Sequence, residues 1–170
     1  MRTAILQHRG AVSVTSEVGT GTSFQLTFPL ATRQGDEPFT EDATPVHGHG
    51  LVLVVDDEAV IRATMCSLLA SYGYTVIMAR DGAEALTVFD EKAEAVDLVI
   101  LDMVMPEMNG RDCFEALRER RADLPILLTS GLTGREDVLD LIVRGPTTFL
   151  AKPYRSAEFS MAVATSLPPA

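Results

Sequence analysis

The chain has 170 residues with 14 basic and 24 acidic side chains, a net charge of −10, and 46% of its residues are hydrophobic. Such a surface repels nucleic-acid phosphates and anionic lipid, which argues against both as partners, while the length suits one domain with an appendage that needs no disulfides. No run approaches the roughly 18 apolar residues of a membrane span, the first nine residues lack the apolar centre of a signal peptide, and Cys66 and Cys113 suit small buried hydrophobes in a reducing compartment, so a cytoplasmic protein is expected.

In chain order, Thr3–Arg9 predicts the last turns of a helix closed by Gly10. Val12 and Val14 alternate with Ser13 and Thr15, and Phe24, Leu26 and Phe28 alternate with Gln25 and Thr27. This pattern predicts two half-buried strands around Gly19-Thr20-Gly21. Residues 34–50 carry Asp36, Glu37, Glu41 and Asp42 with no basic residue, together with Pro38, Pro45, Gly35, Gly48 and Gly50. They predict an acidic linker reaching at most about 56 Å, in which His47 and His49 are solvated.

From Leu51 the pattern changes. Nearly continuous apolar runs at Leu51–Val55, Thr75–Ala79, Asp97–Leu101, Pro125–Thr129 and Thr147–Ala151 alternate with helical stripes. Continuous runs suit parallel strands buried on both faces. The first stripe is Ile61, Met65, Leu68, Leu69 and Tyr72, stopped by Gly73. Ala85 to Phe89, Phe114 with Leu117, Val138 to Ile142, and Phe159 to Val163 mark four more helices. Five strands and five helices in 120 residues predict an α/β, doubly wound open parallel sheet. Ligands of such sheets gather outside the carboxyl ends of the strands.

Those ends carry a distinctive set. Asp56-Asp57 ends the first strand, Asp102 the third, Thr129-Ser130-Gly131 the fourth and Lys152-Pro153 the fifth. An acid after a strand can simply cap the next helix, but one cap explains neither the doubled Asp nor Asp102. Three close carboxylates repel unless a cation neutralises them, and hard oxygen ligands suit Mg²⁺. A carboxylate supported in this way can attack phosphorus, with Lys152 and the Ser130 hydroxyl available to phosphoryl oxygens.

With Asp102-x-x-Met105-Pro106, Gly110, Ser130-Gly131 and Lys152-Pro153, residues 50–168 resemble a response-regulator receiver domain, the phosphoacceptor module of two-component signalling. The resemblance implies a flavodoxin-like sheet of order 2-1-3-4-5. It also implies phosphorylation of Asp102 by a phosphohistidine donor, either a kinase core or a histidine phosphotransfer protein. Asp57, Asp102 and the Val104 carbonyl would hold Mg²⁺, with Asp56 acting through a metal-bound water. Ser130 and Lys152 would grip the phosphoryl group, and Phe149 would be the switch aromatic. Gly145-Pro146 stands where that family usually has Gly-Ala.

The segment Gly19-Thr20-Gly21-Thr22-Ser23-Phe24 with Pro29-Leu30 resembles the end of the ATP-binding domain of sensor histidine kinases, Thr22 matching a Thr near the adenine pocket. His8-Arg9-Gly10 stands where that family has His-Gly-Gly, and His8 is a helix-end residue, not a phosphoacceptor. The resemblances divide the chain into an ATPase-domain remnant at 1–33, a linker at 34–50 and a receiver at 51–170, the end of a hybrid histidine kinase. This chain is then no enzyme itself, and a homodimer is compatible with it. Two rival readings are a phosphatase with an Asp nucleophile, which needs a second Asp where Val104 stands, and a receiver-like interaction module that never turns over phosphate. Val104 and Leu132, two residues beyond Asp102 and Ser130, cannot orient a hydrolytic water, so a long-lived phosphorylated state is expected.

Overall fold

A computed structural model describes residues 10–29, 45–131 and 134–168. The helix expected over Thr3–Arg9, His8, most of the acidic linker and Leu132 lie outside the described residues. The chain divides into two units, Met1–Glu41 and Asp42–Ala170.

The first unit is an antiparallel hairpin of β1 (Ala11–Glu17) and β2 (Gly21–Thr27), registered from Ala11↔Thr27 to Glu17↔Gly21. Gly19 turns the chain at φ 83°, and the Thr20 N–H donates to the Glu17 carbonyl at 3.1 Å. Val12 faces Leu26 and Val14 faces Phe24, so one side of the ribbon is apolar as the alternation predicts. The strands are not half-buried, however. Val14, Phe24 and Leu26 are 55%, 59% and 46% exposed, because two strands alone supply no second layer. Thr22 is occupied in a cross-strand bond to Ser16 at 2.9 Å.

The second unit alternates β3 (Leu51–Val55), α1 (Ala59–Ser71), β4 (Thr75–Ala79), α2 (Gly82–Lys92), β5 (Val96–Asp102), α3 (Gly110–Arg120), β6 (Ile126–Ser130), α4 (Gly134–Ile142), β7 (Thr147–Ala151) and α5 (Ser156–Ser166). The strands form one parallel sheet of order β4-β3-β5-β6-β7, which is 2-1-3-4-5 counted within this unit. This is the flavodoxin-like arrangement. Successive strand residues face opposite sides, and two cores result. Leu53, Val55, Val99, Leu101, Ile126 and Leu128 pack with Phe89, Phe114 and Val138 beneath α2, α3 and α4. Val52, Val54, Leu98, Ile100 and Leu127 pack with Met65, Leu69, Phe159 and Val163 beneath α1 and α5. Strand β6 starts at Ile126, one residue later than the apolar run, because Pro125 has no N–H for the ladder; its carbonyl still accepts from Val99 N at 3.0 Å.

Contacts with the second unit's helices begin before Leu51. Val46 N donates to Ser160 Oγ at 3.3 Å, Gly48 N to the Tyr72 carbonyl at 2.9 Å, and His47 meets the Tyr72 ring edge-on at 6.0 Å. A side chain at Gly48 would displace Tyr74, since a Cβ would fall 2.2 Å from the Tyr74 hydroxyl. Cys66 and Cys113 are free thiols, and burial pushes Cys113 up to about 12.

Candidate functional site

Topology delivers the chemistry. The order β4-β3-β5-β6-β7 places β3 beside β5 in the sheet's middle, so their ends bring Asp56, Asp57 and Asp102 together. One oxygen from each lies within 4.8 Å of the others. Asp56 is fully buried and Asp102 is 7% exposed, while Asp57 opens to solvent. Gly110 lets α3 start close behind the nucleophile candidate: a Cβ there would be 2.4 Å from the Asp102 carbonyl.

Lys152, at the end of β7, spans the group. Its Nζ donates to Asp56 Oδ2 at 2.8 Å and to Asp102 Oδ2 at 3.0 Å. Its backbone N–H donates to the Ser130 carbonyl at 2.7 Å, which fixes where its side chain sets out. Asp56 Oδ1 also accepts from Glu58 N at 2.9 Å, and Val104 N donates to Asp102 Oδ1 at 3.4 Å. Burial raises the Asp102 carboxyl above its ordinary range, the Lys152 ammonium opposes this, and the Asp56 charge adds to it. Burial works against the Lys152 ammonium, but bonds to Asp56 and Asp102 outweigh it and hold the lysine protonated.

Three ionised carboxylates against one ammonium leave the rim two negative charges in excess. Oxygens within 4.8 Å of one another can close onto one small cation, since Mg²⁺ at about 2.1 Å from each ligand spaces them by roughly 3–4 Å. The donor set is hard oxygen throughout. The residues present therefore fit a divalent cation, with Asp57 the most open ligand.

The other sequence-predicted residues fall nearby but apart from this cluster. Ser130 is buried at the end of β6, and its hydroxyl makes no hydrogen bond to the three carboxylates or to Lys152. Phe149 is partly buried against the α2–α4 core, in line with Leu128 across the β6–β7 pairing. Strand alternation puts Ser130 and Phe149 on that side, and Asp56, Asp102 and Lys152 on the α1–α5 side. Val104 is 67% exposed.

Two neighbours carry no role in the sequence pattern. Tyr154 stacks on Phe159 at 5.4 Å; burial raises its phenol, and the charges of Lys152, Asp56 and Asp102 all reach it. Thr129 is fully buried on the face of the carboxylates. Counting strand parity from the rim backwards, and not only reading the rim, would have placed Thr129 with the carboxylates.

Residues 52–164 match the model of the response regulator receiver domain. A sensor kinase CckA from Brucella abortus is 34% identical over 168 residues, 94% of this chain but 18% of the kinase. The chain thus spans less than a fifth of that relative. Among solved structures, the chemotaxis protein CheY4 of Vibrio cholerae is 30% identical with a TM-score of 0.65, covering 71% of this chain and all of its own. A complex of CheX with CheY, BeF₃ and Mg²⁺ from Borrelia burgdorferi matches at 29% identity and a TM-score of 0.65, over 68% of this chain and 87% of its own. The rim of carboxylates, the bridging lysine and the sheet order all fall within the matched span, and the chain belongs to the response regulator receiver domain family.

Proposed function

We propose that this chain accepts a phosphoryl group from a phosphohistidine onto Asp102, in a Mg²⁺-dependent relay within the cytoplasm. One observation carries the reading: Asp102 belongs to a cluster of three carboxylates, and a single ammonium bridges it to Asp56. In the transfer, an Asp102 oxygen forms a bond to phosphorus as the P–N bond breaks, and the electron pair stays on the imidazole nitrogen of the donor. Lys152 meets the phosphoryl charge with a point charge, and Ser130 donates to a second phosphoryl oxygen. Asp57, Asp102 and the Val104 carbonyl would hold the metal, and Asp56 would support it without binding it directly. When bound, the Mg²⁺ ion supplies charge neutralisation to the phosphoryl oxygens. Phe149 then repacks as Ser130 turns towards the phosphate, which changes the surface offered to partners.

The donor is the core of a histidine kinase or a histidine phosphotransfer protein. A hybrid kinase is favoured as the parent because the similarity to the sensor kinase extends over 94% of this chain, well beyond the 52–164 span of the receiver match. On that view residues 1–33 are the end of the kinase's ATP-binding domain.

Incubation with acetyl phosphate and Mg²⁺, followed by intact mass, tests the reading. One phosphoryl group should add, and Asp102→Asn should abolish it. Asp57→Ala should weaken Mg²⁺ binding while leaving the fold intact. Undiminished labelling of the Asn variant would place the acceptor elsewhere. Calorimetric titration with Mg-ATP should be flat, and micromolar affinity would contradict the remnant assignment.

A further inference from the structure

Thr129, the residue before Ser130 on β6, is fully buried, and its hydroxyl has no hydrogen-bond partner among the described residues. Packing gives no account of that oxygen, since valine would fill the same space without stranding a polar atom. Its place in the sheet does. Thr129 is the register partner of Asp102 on one side and of Leu150 on the other. Register partners on adjacent parallel strands lie about 4.8 Å apart and face the same way. Alternation puts Thr129 in line with Leu127, Asp102 with Ile100, and Lys152 with Leu150, all on the α1–α5 side.

Lys152 completes the picture. Two of its three N–H donors are taken, by Asp56 at 2.8 Å and Asp102 at 3.0 Å, and the third has no partner among the described residues. An unused acceptor and an unused donor therefore flank the same carboxylate. When Asp102 bonds to phosphorus, Lys152 gives up an acceptor and must be held while it turns to the phosphoryl oxygens. We propose that Thr129 is a positioning residue for phosphoryl transfer, its hydroxyl accepting a Lys152 Nζ–H as the ammonium shifts from Asp102 to the phosphoryl group. This rests on the phosphoacceptor reading above.

The test measures the rate of labelling by acetyl phosphate at saturating Mg²⁺, with melting temperature and calorimetric Mg²⁺ affinity alongside. Thr129→Val should slow labelling by about 5- to 10-fold, the worth of one hydrogen bond in the transition state. Its melting temperature should not fall and its Mg²⁺ affinity should not change. Thr129→Ser, which keeps the oxygen, should label within about twofold of the parent. In a Lys152→Met background, Thr129→Val should have no further effect, because the two act through one contact. Parental rates in the Val variant, a Ser variant as slow as Val, or a Val penalty that persists without Lys152 would each overturn the inference while leaving the phosphoacceptor reading standing. Failure of the parent protein to label at all would remove both.

Discussion

Arg118 shows how far a single residue can depart from its pattern. It lies within the α3 stripe of Phe114 and Leu117, where arginine ordinarily marks the solvated face, yet it is only 9% exposed. Its guanidinium donates to the carbonyls of Arg144 at 3.1 Å, Ala122 at 3.2 Å, Pro146 at 3.3 Å and Leu124, and to the Thr147 hydroxyl at 2.7 Å. It also lies 5.1 Å over the Phe114 ring. Among the described residues no carboxylate hydrogen-bonds this cation; carbonyl dipoles and an aromatic face hold it, and they tie the end of α3 to the start of β7 through Gly145-Pro146. Arg118→Met strands those acceptors and should lower stability by about 3 kcal/mol in urea titration, with Arg118→Lys recovering little because it lacks the planar fork. A loss below about 1 kcal/mol would show that the network contributes little. None of this was legible in the sequence, because an arginine that gathers carbonyls leaves no acidic partner to read. The rim residues were legible for the opposite reason: each is a polar group closing an apolar run. At Val104, exposed beside Asp102, Val104→Asn should speed loss of the phosphoryl group by giving an in-line water a hydrogen-bond partner. Unchanged decay after donor removal would show that this position does not set the lifetime.

At the scale of elements, caps decide where helices start. Asp81 caps α2 by accepting from Glu84 N at 2.8 Å, while the Glu84 side chain accepts from Arg80 N at 2.7 Å. The Glu84 N–H bond, with help from Arg80, holds the Asp81 carboxyl below its usual range. A carboxyl depressed on folding stabilises fully above its unfolded value of about 3.9 and loses that contribution as pH falls through the folded value. Asp81→Ala should therefore cost about 1 kcal/mol at pH 7, and the gap between variant and parent should close towards pH 2. A gap constant with pH would mean the carboxylate charge plays no part. The five strands were readable because burial on both faces demands unbroken apolar runs. Their ends were less so: β5 extends through Asp102 and β6 starts after Pro125, since ladder hydrogen bonds and not hydrophobicity set strand limits.

At the scale of the whole molecule, the unit from Asp42 onward holds both cores described above, while the hairpin buries almost nothing of its own. Deleting residues 1–41 should leave the melting temperature within about 2 °C and the labelling of Asp102 intact, since neither core loses a residue. Unfolding on truncation would show that the hairpin supports the sheet. Alternation predicted the layers but not the helices' shares of them, because a stripe shows that a helix packs and not which side it packs on. That sidedness has a consequence for how the protein can change over time. Thr129 and Ser130 are consecutive, yet they face opposite helical layers. The sheet is a partition one residue thick, with Asp56, Asp102 and Lys152 on one side and, on the other, Phe149 and Ser130, the one phosphoryl-gripping side chain on that face. Substitutions beneath α2–α4, Ser130 apart, can therefore alter the message sent to a partner without touching the carboxylates and lysine that receive it. A lineage could retune its listeners freely while the α1–α5 side stays fixed.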